Sequence, residues 1–542
     1  MANMSSVITP ENNLPTTIPN KFNKTKFVFW LLLALGIFFR LIHFLENRSL
    51  WEDEAWRALW IGAQSYPDII FNKPFASDLP VMPLGFLLLG KISIQIFGNN
   101  EFALRLFPLI FGIANLFLFY ALLKRRVSPK AMGVAFGLAI FLDSLIYFSA
   151  EFKQYSQDIF VALALYLIFD RLRVQSLNLI QRAVLGLSGA LAIFLSHTAI
   201  FILATMGILM LRELFFNKAK NAVGNILIIF GYWLVGFIFY YRLVFHGMLG
   251  NKITQNMFSQ YLWPNPPWSW ESLKWLVNSG VGLFQDPLNV SVAWLGAVLT
   301  LMGMVVMWRR NKGTFCLFAF PMILVLSASS LKVYPFHGRF LLFMVPNLLL
   351  FLAVGTEVVF AKKSLMRQCA YGIILTILFF TPVTSAFQKS VEGRGFEEVR
   401  PLMAVLKAHA QPSDKIYVNN EGHFAYLYYL GYFHISDYFK ELGKFTNIRR
   451  VDSKGECVGI SYQEVSFSPD GHFMGFNING ESVVYSNTEK GFGDCARTWV
   501  LFSHAKTSQP FVMDFLDHHG QRLGEWKEKG ASLYLYDMSL TD

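Results

Sequence analysis

The segment FVFWLLLALGIFFRLIHF, Phe27–Phe44, decides the architecture. Its eighteen residues are enough to cross the hydrocarbon core of a bilayer as a helix. Lys21, Lys24 and Lys26 stand directly before it, and the positive-inside rule then puts the N-terminus in the cytoplasm. The polar residues ahead of them lack the apolar core of a signal peptide, so this first helix is expected to be retained.

The same pattern recurs along the chain. Further spans are expected at about 102–123, 131–148, 159–172, 222–245, 292–308, 315–331, 340–360 and 369–387, with a hairpin of two short helices over 183–211 turning near His197. That makes about eleven. The basic clusters Lys124–Arg126, Arg171 with Arg173, Arg309 with Arg310, and Lys362 with Lys363 all fall on one side. Gly85–Phe97 is apolar but short and carries Lys91, which suits a helix lying in the interface. With that helix off the crossing list, the loop 45–101 and the segment Glu151–Asp158 share the external side. The Trp- and Pro-rich stretch around Trp263–Trp270 reads as an external loop anchored by aromatics.

Composition agrees. Of 542 residues, 54% are hydrophobic and 15% charged, too apolar for a soluble protein of this length. The net charge of +11 sits beside apolar runs rather than on one face, which argues against a nucleic-acid partner. After about Gln388 apolar runs shorten and charges mix. Strands are expected at 416–418, 499–503 and 532–536, and amphipathic helices at 396–409 and 511–519, giving one soluble α/β domain. The expected division is a cytoplasmic tail 1–26, a transmembrane domain 27–387 with its first external loop at 45–101, and an extracytoplasmic α/β domain 388–542. Cys316 and Cys369 read as packing residues; Cys457 and Cys495 both fall in the soluble part, where an extracytoplasmic location would allow a disulfide without requiring one.

The chemistry concentrates in the external segments. Ser49-Leu-Trp-Glu52-Asp53-Glu54-Ala-Trp56-Arg57 has capping-box spacing from Ser49 to Glu52, so a helix is expected to start there, with Arg57 pairing to Asp53 at i+4. Its three adjacent acids between tryptophans, just outside a membrane helix, exceed what a helix N-terminus calls for. Glu151, Tyr155 and Asp158 would share one face of a helix, with Lys153 turned elsewhere toward an anion. The turn Tyr334-Pro-Phe-His337-Gly-Arg339 offers an arginine for phosphate. Lys73 and Lys91 are candidate partners for lipid phosphate, although simple headgroup contact explains them as well, and His197 reads as a packing histidine. No Walker A, GxGxxG or DxD pattern occurs, so nucleotide use has no support. Carboxylates that accept a proton, beside cations that stabilise a leaving phosphate, fit sugar transfer from a lipid phosphate.

Beyond these residues, the acidic first loop, Pro80-Val-Met-Pro83-Leu-Gly and Phe97-Gly-Asn-Asn-Glu101-Phe-Ala-Leu-Arg105-Leu resemble the first loop of GT-C glycosyltransferases. Bacterial family 39-like members, the protein mannosyltransferase and aminoarabinose transferase group, are the nearest in pattern. Lys153-Gln-Tyr155-Ser is similar to their Arg-Pro-Tyr motif, with Lys for Arg and Gln for Pro, and the stretch from Arg339 to Pro346 resembles another family feature. The resemblance covers about Phe27–Gly355. It implies an inverting hexosyl or pentosyl transferase in a bacterial inner membrane, using a polyprenyl-phosphate sugar donor and an acceptor lipid, glycan or protein. It implies Asp53 as general base or acceptor-orienting carboxylate, with Glu54 as the alternative. Lys73, Lys153 and Arg339 would bind donor phosphate, and Glu151, Tyr155, Asp158 and His337 would support the acceptor or the site. A divalent metal is left open, with Glu151 and Asp158 able to offer oxygen ligands. The competing class is a transporter or flippase of an anionic lipid-linked sugar, which would carry its ionisable residues at mid-membrane. A third reading is an idle scaffold presenting the C-terminal domain.

Overall fold

Apolar runs bounded by basic clusters become helices in the computed structural model, which describes residues 24–71, 82–171, 177–216, 223–244, 258–360, 364–395, 397–411, 414–431, 448–451, 457–460, 473–476, 482–485, 497–504 and 509–538. Lys73 and Cys495 lie outside the described residues, and so does the pairing of Cys495 with Cys457.

The chain starts with α1 (Lys24–Leu45), then the first loop carries α2 (Glu52–Ala63), α3 (Tyr66–Phe71) and α4 (Leu84–Phe97). There follow α5 (Glu101–Arg126), α6 (Pro129–Phe141), α7 (Asp143–Tyr147), α8 (Tyr155–Arg171), α9 (Leu179–Leu195), α10 (Ala199–Phe216) and α11 (Val223–Leu243). The membrane part closes with α12 (Trp270–Gly282), α13 (Ala293–Arg310), α14 (Lys312–Ser330), α15 (Val345–Phe360) and α16 (Leu365–Glu392). Each expected span coincides with one of these helices or helix pairs. Six described helices are each long and apolar enough to cross a bilayer, and the pair α6–α7, bent by 57° at Leu142, makes a seventh. The shorter apolar helices include α4, α9 and α10. The chain is a polytopic α-helical membrane protein with a C-terminal α/β domain.

Local chemistry sets the helix ends. Asn100 accepts from the Ala103 N–H to start α5, whose last turn holds Lys124, Arg125 and Arg126. Ser128 caps α6 ahead of Pro129. Large apolar side chains on α1, α9 and α11 point outward, among them Trp30, Leu187 and Val235. An aqueous protein would not expose such continuous belts, and lipid covers them. Inside, Gly303 of α13 faces the Phe351 carbonyl and Gly355 of α15 faces the Leu299 carbonyl, so a Cβ at either glycine would collide with the opposite backbone. Small residues at such a contact let membrane helices approach closely. Cys369 is exposed on α16 rather than packed, while Cys316 is partly buried.

The C-terminal domain holds a six-stranded sheet in the order β5-β4-β1-β6-β8-β7, with β1 (Lys415–Val418), β4 (Phe473–Phe476), β5 (Ser482–Tyr485), β6 (Arg497–Ser503), β7 (Gln521–Glu528) and β8 (Ala531–Asp537). β1 and β6 run parallel, Ile416 beside Trp499, and the other pairs are antiparallel. β2 (Ile448–Val451) and β3 (Cys457–Ile460) form a separate hairpin. Helices α17 (Val399–His409), α18 (His423–Leu430) and α19 (Gln509–His519) complete the domain. All three strands and both helices expected from the sequence are present, although the first helix begins at Val399.

This domain grips the first loop. Glu398 accepts from the Ser49 N–H at 3.0 Å and from its hydroxyl at 2.8 Å. The Leu50 N–H donates to the Tyr429 hydroxyl at 2.7 Å, and that hydroxyl donates to Glu101 at 2.9 Å. Arg400 also pairs with Glu101, at 2.9 Å. The Ser49 hydroxyl is therefore spent on the C-terminal domain, donating to Glu398 and accepting from the Arg400 N–H in the first turn of α17 at 3.1 Å, and it does not cap α2. Trp51 is the N-cap of α2, in extended backbone, with no side-chain cap.

Candidate active site

Asp53 occupies the first turn of α2, and three cations from three parts of the chain converge on it. Lys153 Nζ donates to its Oδ2 at 2.6 Å. Arg57, one turn along α2, donates to Oδ1 at 3.1 Å and to the Asp53 carbonyl at 2.6 Å. Arg339 Nη1 stands 3.9 Å from Oδ2, at the start of the 3₁₀ segment Gly338–Met344 that feeds α15. Lys153 is buried beneath the group, whereas Asp53 is 35% and Arg339 36% exposed. One carboxylate against three cations leaves an excess of positive charge at an open position.

The environment tunes these groups apart. Burial pushes the Asp53 carboxyl up, but the charges of Lys153, Arg57 and Arg339 outweigh it and hold the group well below the usual carboxylate range. Burial and the neighbouring Arg57 charge bring the Lys153 ammonium down to about 8. Lys153 also lies over the Trp51 ring, 5.2 Å from its centroid. Glu52, next to Asp53, is pushed up to about 8 by burial and by Asp53, Glu397 and Glu421.

A buried scaffold lies underneath. Glu54 is fully buried, and its carboxylate takes Arg105 Nε at 3.0 Å, Arg105 Nη2 at 2.6 Å and the Phe152 N–H at 2.6 Å. Arg48 Nη1 adds a contact at 3.4 Å. Against burial, the Arg105 and Arg48 charges hold Glu54 below its usual range. Arg105 further donates to the Arg48 and Ser49 carbonyls. Through Phe152, this network fixes the connector that presents Lys153. Both Glu54 carboxylate oxygens are thus engaged by Arg105, Arg48 and the Phe152 N–H.

The remaining predicted residues divide. Glu151 precedes α8 instead of lying on it, so it shares no helical face with Tyr155 and Asp158; it accepts from the Trp51 indole at 3.1 Å and sits 3.6 Å from Arg48. Burial, with Glu54 nearby, pushes its carboxyl up. Tyr155 is buried at the start of α8, its ring edge-on to Phe148 at 4.7 Å. Asp158 is buried and accepts from the Ser196 hydroxyl at 2.6 Å. Among the described residues no group of three or more His, Cys, Asp or Glu is arranged to hold a metal ion. His337 stacks on Tyr261 at 4.0 Å and faces Asp286 at 3.8 Å. Lys91 is no partner for lipid: its ammonium is buried and donates to the Ile61 and Gly62 carbonyls at 2.9 and 3.1 Å, closing the C-terminus of α2. His197 packs as expected, against the Tyr240 hydroxyl at 2.8 Å. Sequence reasoning missed Glu397, Glu398 and Tyr429, which reach the first loop from more than 300 residues away and leave no local signal.

No family model and no curated protein matches the chain. Solved structures do. ArnT from Cupriavidus metallidurans, bound to undecaprenyl phosphate, aligns with a TM-score of 0.52 at 11% identity, over 96% of this chain and 100% of that one. This chain has the GT-C fold. The apo state of ArnT gives 0.51 at 10% identity, over 96% and 99%. The oligosaccharyltransferase of Archaeoglobus fulgidus, in complex with Zn and sulfate, gives 0.42 at 15% identity over 67% of this chain, and this chain spans 53% of its length. At such identities the likeness speaks to the GT-C fold alone, and chemistry must come from the side chains. Within the GT-C fold of this protein, the first loop, the connector before α8 and the turn before α15 bring Asp53, Lys153 and Arg339 together.

Proposed function

We propose that this chain is an integral membrane glycosyltransferase. It moves a sugar from a polyprenyl-phosphate donor to an acceptor hydroxyl on a lipid, glycan or protein, with inversion, at the external face of a bacterial inner membrane. The convergence of Lys153 and Arg339 on the partly exposed Asp53 carboxylate carries this reading. A leaving phosphate needs fixed positive charge where its own charge develops, and Lys153 and Arg339 supply it without reorganisation. Asp53, held ionised, sets the spacing of those cations and orients the acceptor. The likeness of fold to ArnT, solved with undecaprenyl phosphate, supports a lipid-phosphate donor. The basic turns support an N-terminus in the cytoplasm and a C-terminal domain outside.

The test is transfer by the purified full chain in lipid nanodiscs, using a panel of undecaprenyl-phosphate hexoses and pentoses with membrane lipid and protein acceptors. Release of undecaprenyl phosphate coupled to acceptor labelling is expected for wild type and lost in Asp53→Asn, which still inserts and folds. A protein that carries the intact lipid-linked sugar across the bilayer without cleaving it overturns the assignment in favour of transport.

A further inference from the structure

Arg40 lies on α1, less than two turns before that helix ends at Leu45, and is only 2% exposed. An arginine stays charged at any working pH, so burying one in a membrane helix calls for a counter-charge. Among the described residues no carboxylate pairs with it. Its Nη1 donates to the Gly36 carbonyl of its own helix at 2.9 Å, and its Nη2 reaches the Ala139 carbonyl of α6 at 3.5 Å. Its Nε has no partner among the described residues. Ala139 falls in the last turn of α6, so the negative end of that helix answers part of the guanidinium charge. Two carbonyl dipoles do not balance a full charge removed from water.

The same side chain lines a cavity of about 20 Å³ at the break between α6 and α7. Asn115 of α5, Ser156 of α8 and Leu349 of α15 form other parts of the wall. Asn115 is buried; its Nδ2 donates to the Ser156 carbonyl at 2.9 Å, and its Oδ1 has no partner among the described residues. A single water needs about 10–15 Å³ of such space, so the cavity takes one water or one small ion and is too small for a lipid phosphate. Water would serve the Nε and the amide oxygen but leave the net charge where it is. The amide oxygen repels an anion, and the unspent N–H groups of a whole guanidinium outweigh it.

We propose that this cavity is a binding site for one monoatomic halide ion, chloride in its natural setting, held against Arg40 as an internal counter-ion. The ion neutralises the guanidinium where α1, α5, α6, α8 and α15 meet. Those helices can then close around the break after α6 without stranding a charge in the membrane. Ser156, held here by Asn115, follows shortly after Lys153, so the ion steadies the start of α8 just beyond the connector that presents Lys153. The site is separate from the Asp53 group and does not depend on the glycosyl-transfer reading.

The experiment dialyses the full chain, wild type and Arg40→Leu, into potassium gluconate, chloride or bromide at one ionic strength and measures thermal melting. In parallel, wild-type crystals grown in bromide are used to locate the ion by its anomalous scattering. Wild type is expected to melt higher in chloride and in bromide than in gluconate, with a rise that grows with halide concentration as binding to the folded state requires. A bromide peak is expected in the cavity, against the Arg40 guanidinium. Arg40→Leu puts an apolar group in place of the charge and is expected to melt alike in all three salts. If wild type also melts alike in all three and the cavity holds no bromide, its occupant is water and the proposal is overturned. An equal halide rise in both proteins, with bromide bound outside the cavity, overturns it as well. Should Arg40→Leu fail to fold, the bromide peak in wild type decides alone: present in the cavity it upholds the site, absent it refutes it.

Discussion

Asp53→Asn keeps the shape of the side chain and removes its charge, and the structure indicates where the consequence appears. Lys153 Nζ is 2.6 Å from Asp53 Oδ2 and is buried. Its ammonium already stands at about 8, lowered by burial and Arg57 and sustained by Asp53. A charge pair near 4 Å in a partly screened site is worth about 4 kcal/mol. Discounting half for relaxation and water leaves about 2 kcal/mol, or roughly 1.5 pKa units. The Lys153 ammonium in the variant then loses its proton between about pH 6 and 7. The sign follows: a cation that binds phosphate does so below its pKa, and the attraction is lost as pH rises through it. Undecaprenyl phosphate affinity, measured in nanodiscs from pH 6 to 9, should begin to fall at lower pH in Asp53→Asn than in wild type. At pH 6 the variant should bind at least as tightly, because a negative charge has left the site. The titration of the phosphate itself is common to both proteins and cancels. Coincident pH profiles, or a shift to higher pH, would refute the coupling of Asp53 to Lys153.

Glu54→Gln leaves Arg105 and Arg48 as buried charges without their carboxylate, which should cost about 3–5 kcal/mol and lower Tm in detergent; an unchanged melt would contradict the scaffold. Lys91→Met strips the donor from the Ile61 and Gly62 carbonyls, at a cost of about 1–3 kcal/mol, while undecaprenyl phosphate affinity stays at the wild-type value. Weakened affinity in that variant would return Lys91 to the lipid phosphate. Glu398→Ala removes both acceptor contacts to Ser49 and should open the junction after α16 to limited proteolysis, with an unchanged digestion pattern as the contrary result.

The fold was legible where the signal is one-dimensional. Span length and basic turns depend on residues near each other in sequence, so the expected spans find their helices, although the bend at Leu142 breaks the span expected as continuous over 131–148. The meeting of Asp53, Lys153 and Arg339 was expected from their common external side, though nothing local fixed the distances. What misled were local patterns overruled by distant partners. Ser49 has the spacing of a capping box, but Glu398 takes its hydroxyl. Glu151 and Asp158 have helical spacing, but Trp51 and Asp53 hold Glu151 and Lys153 in irregular backbone until Tyr155. Asp53 and Glu54 look alike in sequence, and one turns toward solvent and cations while the other turns into Arg105. Glu52 passed as a helix-start acid until Glu397 and Glu421 were brought beside it.

The most direct test of the central claim is a cryo-EM structure of the full chain in nanodiscs with undecaprenyl phosphate. The account predicts the phosphate in contact with Lys153 and Arg339, beside the Asp53 carboxylate and outside the α2 N-terminus. A phosphate bound elsewhere, with these three side chains still closed on one another, would contradict it.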